Sequence, residues 1–196
     1  KGYFMAANEE DYNTKRNQLI SEGVISKDET PYIQEYAAGG LAYLQFFYSP
    51  LTGELEFFGV DQRHESDIEG LGRIPSEQQL KSKKVPSFNV IGNSPLVLRE
   101  SLLDEVYKMG ENFVEAAKRV VSPGMNGPFC IEGVYDENAK FTSFEFSARI
   151  VAGTNIYMDG SPYYSLLFNE NMSMGKRIAR EVKTATESNQ LDKITT

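Results

Sequence analysis

A chain of 196 residues, 40% hydrophobic and 24% charged, has the composition of a globular protein able to bury a core. Its net charge of −8 argues against a nucleic-acid surface, which needs a basic face, but not against nucleotides, whose phosphates a divalent cation can bridge to carboxylates. A single cysteine, Cys130, excludes a disulfide framework and fits a reducing cytoplasm, and no apolar run of about 18 residues offers a membrane span. The opening "KGYFMA" reads as a short strand without an initiator Met, so we expect a longer protein whose front part is absent here. "NEEDYNTKRNQLISEG" has early acids, an amphipathic body and a closing Gly23, the pattern of a helix. "TPYIQEYAAGG" reads as a strand ending in a glycine bend. "LAYLQFFYS" and "ELEFFGVDQR" flank the turn signal "PLTG" and predict a β-hairpin, which we read as core, with an interface as the other reading. "IEGLGRIPSEQQLKSKKVPS" is expected to be a polar loop that closes over a site.

Further along, Leu102, Leu103, Val106, Met109, Phe113, Ala116, Ala117 and Val120 recur at helical spacing before a Pro-Gly stop, which predicts a helix packed on the core. "GPFCIEGVY" and "FTSFEFSARIVAGTN" predict a second hairpin across "DENAK". "MSMGKRIAREVKTATES" predicts a closing helix, with Lys176, Arg177 and Arg180 read as a solvated face. The order of elements predicts an α+β fold with mostly antiparallel sheets and packed helices.

The chemistry concentrates on the second hairpin. His64 stands alone as a histidine, in the charged run "DQRHESD", and lacks the neighbours of a triad base. With the turn centred near Asn138, Glu132 falls about opposite Glu145, although a slip of one residue would put one acid on the other face. Strand alternation puts Phe144 and Phe146 toward the core and Phe141, Ser143, Glu145, Ser147 and Arg149 on the other face. Facing acids have three readings: one acid turned to water, a dyad sharing a proton, or a pair holding a hard cation. Arg149, farther along the row and able to fork onto a phosphate oxygen, favours the third reading.

These residues, an acid on one strand and "EFSAR" on the next, resemble the metal-binding core of the ATP-grasp superfamily, with Ser147 standing where that superfamily has Asn. "YIQEYAAGG" resembles its hinge strand. "KGYF" resembles the end of its glycine-rich loop. More narrowly, "FFGVDQRHESDIEGL", "VIGNSPLVLRESLL", "SARIVAGTNIYMDGSPY" and "MSMGKRIAREVK" resemble the archaeal formate-dependent 5-formaminoimidazole-4-carboxamide ribonucleotide synthetase family over essentially the whole chain.

The resemblance implies an ATP-grasp fold, with residues 1–36 ending the small subdomain and 37–196 forming the large one. It implies a cytoplasmic homo-oligomeric ligase of purine biosynthesis. That ligase would use ATP and Mg2+, or Mn2+, to join formate to aminoimidazole carboxamide ribonucleotide through formyl phosphate. Glu132 and Glu145 would hold the metal, and Arg149 would steady the transferring phosphate. Gln34, Glu35, Tyr36, Tyr43 and Glu65 would face the nucleotide. Asn93, Ser147, Thr154 and Asn155 would face the substrates. Another ATP-grasp carboxylate–amine ligase and a non-catalytic nucleotide-binding module remain the alternatives.

Overall fold

The computed structural model describes residues 4–195, and the chain divides between Ala38 and Gly39 into two compact units. In the first, α1 (Glu9–Ser21) forms where the sequence places it. The Asn8 side chain caps it by accepting from the Asp11 amide at 2.9 Å, and Glu9, Glu10 and Asp11 lie at the positive end of its dipole. Gly23 follows at φ 70°, where a side chain would be strained. The expected opening strand lies partly outside the described residues, and residues 4–6 carry no regular structure. Residues 30–38, expected as a hinge strand, also carry none and are almost wholly exposed. A strand exists only against a partner, and no described strand pairs with this segment.

The second unit is built on a five-stranded sheet of β1 (Gly40–Ser49), β2 (Glu54–Glu65), β3 (Val90–Leu96), β4 (Gly127–Tyr135) and β5 (Phe141–Ser147). The strand order is β3-β2-β1-β4-β5, and every neighbouring pair is antiparallel. With its helices this is an α+β architecture. Both expected hairpins form. β3 was not anticipated, because Gly92 and Pro95 interrupt its pattern; it is an edge strand, where a proline is tolerated. The expected loop between β2 and β3 instead contains two short helices, α2 (Ser66–Leu71) and α3 (Ser76–Ser82). Its apolar residues are too sparse to announce helices by periodicity.

α4 (Leu103–Val120) packs on one face of the sheet. Val106 and Val114 share one core cluster with Ala42, Leu44 and Phe46 of β1, Phe57 and Val60 of β2, Phe129 and Ile131 of β4, and Phe141 of β5. Phe46 stacks on Phe129 at 5.0 Å and Phe129 on Phe113 at 4.9 Å. Each fully buried side chain of this size contributes about 1.5–3 kcal/mol. Val120, predicted on the core stripe, is exposed at the end of the helix. The aromatic hairpin β1–β2 is therefore core of this chain.

The opposite face is covered over part of its extent by a 3-10 turn (Ala152–Tyr157), by α5 (Pro162–Phe168) and by α6 (Met174–Glu187). Phe47, Phe58, Tyr157, Tyr164, Met172 and Met174 form that second cluster. Arg177, expected at a solvated surface, is buried here. Its Nε donates to Glu56 at 2.9 Å, its Nη1 to Glu181 at 2.7 Å, and its guanidinium lies 4.2 Å from the Phe47 ring centre. Tyr164 donates to Glu56 and Ser49 to Glu181, so both acids are fully engaged. A helical face with Arg and Glu four residues apart looks the same in sequence whether water or a second carboxylate lies opposite.

Candidate active site on the polar half of the sheet

The remainder of that second face carries polar groups that the strands themselves bring together. Glu132 and Glu145 are direct partners across β4 and β5, as the hairpin arithmetic predicted. Past this pair the register shifts, because Gly133 pairs with Ser143 and leaves Phe144 as an extra residue. The bulge reverses the alternation that simple counting assumed. Beyond the bulge Phe141 and Ser143 lie on the α4 face and Phe141 is buried in the core, while Phe146, before it, keeps the expected α4 face with its ring 5.0 Å from that of Phe113; Phe144 and Phe146 nevertheless stay partly exposed on this edge strand. Glu145 and Ser147 keep the expected face.

Glu132 is 3% exposed. Its carboxylate is held by Arg63 of β2, whose Nη1 lies 3.1 Å from Oε2 and whose Nη2 donates to Oε1 at 3.2 Å. Ser147 donates to the same Oε1 at 3.0 Å. The Arg63 guanidinium carbon lies over the Tyr43 ring, 3.8 Å from its centre. Tyr43 sits between them in register, pairing with Asp61 on one side and Glu132 on the other. Burial pushes the Tyr43 phenol up to about 12 against the pull of Arg63, so it stays neutral and donor-competent. Burial alone would lower Arg63, but Glu132 more than compensates and its guanidinium is raised.

Asp61 is fully buried on the same face. Asn93 of β3 donates to its Oδ2 at 2.6 Å and Gln45 of β1 to its Oδ1. Burial raises the Asp61 carboxyl, and these two donors only partly offset it. Gly153, in the 3-10 turn, packs so closely that a Cβ there would lie 2.1 Å from Asp61 Oδ1. The "GTN" segment is thus part of a helical turn fitted against Asp61, not a free loop. Thr154 is buried and gives its hydroxyl to the Val151 carbonyl at 2.8 Å, and Asn155 is exposed. Gln45 Oε1 is a buried acceptor without a partner among the described residues.

The row on β5 stops at Ser147. Arg149 lies beyond the strand, is exposed, and donates to the Ile150 carbonyl at 2.9 Å. Glu65 ends β2, and burial with the nearby charge of Glu69 raises its carboxyl. His64 Nε2 lies 2.9 Å from Ser94 Oγ and Nδ1 3.3 Å from Glu69 Oε2, a local clasp between β2, β3 and α2. Gln34, Glu35 and Tyr36 lie in the exposed segment of the first unit. Asp61, Arg63 and Gln45 were missed in the sequence, although the alternation in "GVDQR" sets Asp61 and Arg63 on one strand face.

No group of three or more His, Cys, Asp or Glu side chains among the described residues is arranged to hold a metal. Mg2+ does not require one. It keeps several waters and is held by one or two carboxylates together with ligand phosphates. The donor set here is of that kind: Glu132 and Glu145 facing each other, with the Ser147 hydroxyl alongside.

Comparison with known proteins adds a family. A family profile described as "Domain of unknown function (DUF1297)" matches residues 11–196. A 5-formaminoimidazole-4-carboxamide-1-(beta)-D-ribofuranosyl 5'-monophosphate synthetase of Nitrosopumilus maritimus is 89% identical over 100% of the chain. The protein of the same name from Cenarchaeum symbiosum is 70% identical over 100% of it. The chain spans 58% of the length of each of these relatives. The crystal structure of an IMP biosynthesis protein PurP from Thermococcus kodakaraensis matches 88% of the chain and 55% of its own, with TM-score 0.72 and 34% identity.

Proposed function

The chain belongs to the DUF1297 family, and because relatives 89% and 70% identical to it are named as synthetases, we propose that it is the large part of an ATP- and formate-dependent ligase. The ligase formylates the exocyclic amine of aminoimidazole carboxamide ribonucleotide in purine biosynthesis. The observation that carries the chemistry is Glu132 opposite Glu145 on the polar half of the sheet, with Arg63 and Ser147 on Glu132. On this reading the fold is an ATP-grasp, residues 1–36 end its small subdomain and 37–196 form the large one. The enzyme works in the cytoplasm as a homo-oligomer.

The residues take these parts. Glu132 and Glu145 hold Mg2+, which when bound supplies charge neutralisation to the nucleotide phosphates. Arg63, and Arg149 once turned from its own backbone, neutralise the transferring phosphate. Tyr43 and Glu65 line the nucleotide side, and the resemblance alone assigns nucleotide contacts to Gln34, Glu35 and Tyr36 of the first unit. Asn93, Ser147, Thr154 and Asn155 line the substrate side, Asn93 already being held by Asp61. Formate attacks the γ-phosphate and releases ADP. The substrate amine then attacks formyl phosphate and releases phosphate. Water must be kept from that acyl phosphate, a part the α2–α3 segment is suited to play.

The test is ADP release by the full-length protein, with formate and the ribonucleotide each omitted in turn. Release needs both, and Glu145→Gln lowers it by at least about 100-fold. Release with another acid and amine would keep an ATP-grasp ligase and change its substrates. Absence of turnover with any pair would leave a nucleotide-binding module.

A further inference from the structure

Three carboxylates, Asp61, Glu132 and Glu145, share the polar half of the sheet, and Arg63 is the cation found hydrogen-bonded among them in the described residues. Arg149, the other candidate, is engaged with its own chain at Ile150. Arg63 grips Glu132 with both terminal nitrogens and otherwise rests on the Tyr43 ring. A planar cation on an aromatic face can pivot without losing that face, and its fork fits phosphate as well as carboxylate. Its side chain keeps 23% of its surface exposed, against 4% for Glu132, so the arginine can leave where the acid cannot.

We propose that Arg63 exchanges partners. It holds the charge-balancing place on Glu132 in the ligand-free protein. It yields that place to a divalent cation and turns its fork to the nucleotide phosphate. The exchange keeps Glu132 neutralised at every stage; a buried carboxylate left without a cation beside another acid would be costly. It also makes cation binding and phosphate binding mutually supporting, because each needs the same movement of Arg63. The phosphate half of this inference rests on the ligase reading, and the Glu132 half does not.

The measurement is Mn2+ binding to the full-length protein without nucleotide, read from the free-ion signal in electron paramagnetic resonance, followed by binding of a non-hydrolysable ATP analogue at saturating Mn2+. Arg63→Met removes the competitor, so Mn2+ binds about tenfold more tightly, while the analogue binds about tenfold more weakly. Arg63→Lys keeps the charge without the fork, and moves both affinities the same way by less; it serves if the Met variant does not fold. Glu132→Gln abolishes the gain in Mn2+ affinity. An Arg63 that merely braces the sheet would lower both affinities or neither, and Mn2+ affinity unchanged or weakened in both Arg63 variants overturns the exchange. A wild-type protein that binds no analogue at all sinks the ligase reading, and the Mn2+ comparison still decides the role of Arg63 at Glu132.

Discussion

Asp61 shows what a single side chain contributes to this sheet. It has no exposed surface, and its two donors are the neutral amides of Gln45 and Asn93. Desolvation therefore dominates and its carboxyl is raised above the ordinary 3.8. A raised carboxyl stabilises the fold fully below the unfolded value and loses that contribution as pH rises through the folded one. Asp61→Asn has no such loss. The urea midpoint of the variant should climb relative to wild type as pH is taken above 3.8, then level off. A difference that stays flat with pH would show that Asp61 is not the buried ionisable group described here. This residue was legible only in part. The alternation of "GVDQR" puts Asp61 on the face of Arg63, but it does not reveal that Gly153, far along the chain, closes over it.

At the scale of elements, α4 is the most readable segment and also the most tightly fitted. Its apolar stripe predicted the helix and its packing, and Val106 is buried where expected, while the buried Val114 lies outside that stripe. Gly110 is the exception to the pattern, a poor helix former in the middle of the buried face. An alanine there gains up to about 1 kcal/mol of helix propensity. Its Cβ would lie 2.6 Å from Leu55 Cδ2 and 2.8 Å from Phe46 Cε1, and overpacking of that kind costs about 1–3 kcal/mol. The clash should win, so Gly110→Ala lowers unfolding stability by about 1 kcal/mol in urea titration. Stabilisation would mean that the Phe46 ring has room to shift. The second hairpin was legible in pairing and illegible in facing. Equal distances from the turn gave Glu132 opposite Glu145, whereas the extra residue at Phe144 exchanges the faces of Phe141 and Ser143.

For the whole molecule, the division at Ala38 and Gly39 follows where backbone hydrogen bonds stop. Residues 30–38 have no ladder and expose Tyr32 at 89% and Tyr36 at 63%. Brief chymotrypsin treatment should cut first after Tyr32 or Tyr36 and leave a persistent fragment beginning at Ile33 or Ala37, identified by mass. First cuts within β1 or β2 would contradict the burial of the aromatic hairpin. Among the described residues no helix is long and apolar enough to cross a membrane.

The sequence by itself determined the helices with a continuous apolar stripe, both hairpins and the pairing of Glu132 with Glu145, because each follows from local spacing along one strand or helix. It also carried the resemblance, since several long motifs stand in order. Tertiary structure alone decided what lies across each polar group. It set Arg63 on Glu132, Gln45 and Asn93 on Asp61, and Arg177 between two buried acids. The same charged side chain is a solvated face or a buried clasp according to what another strand or helix brings opposite, and no local period encodes that.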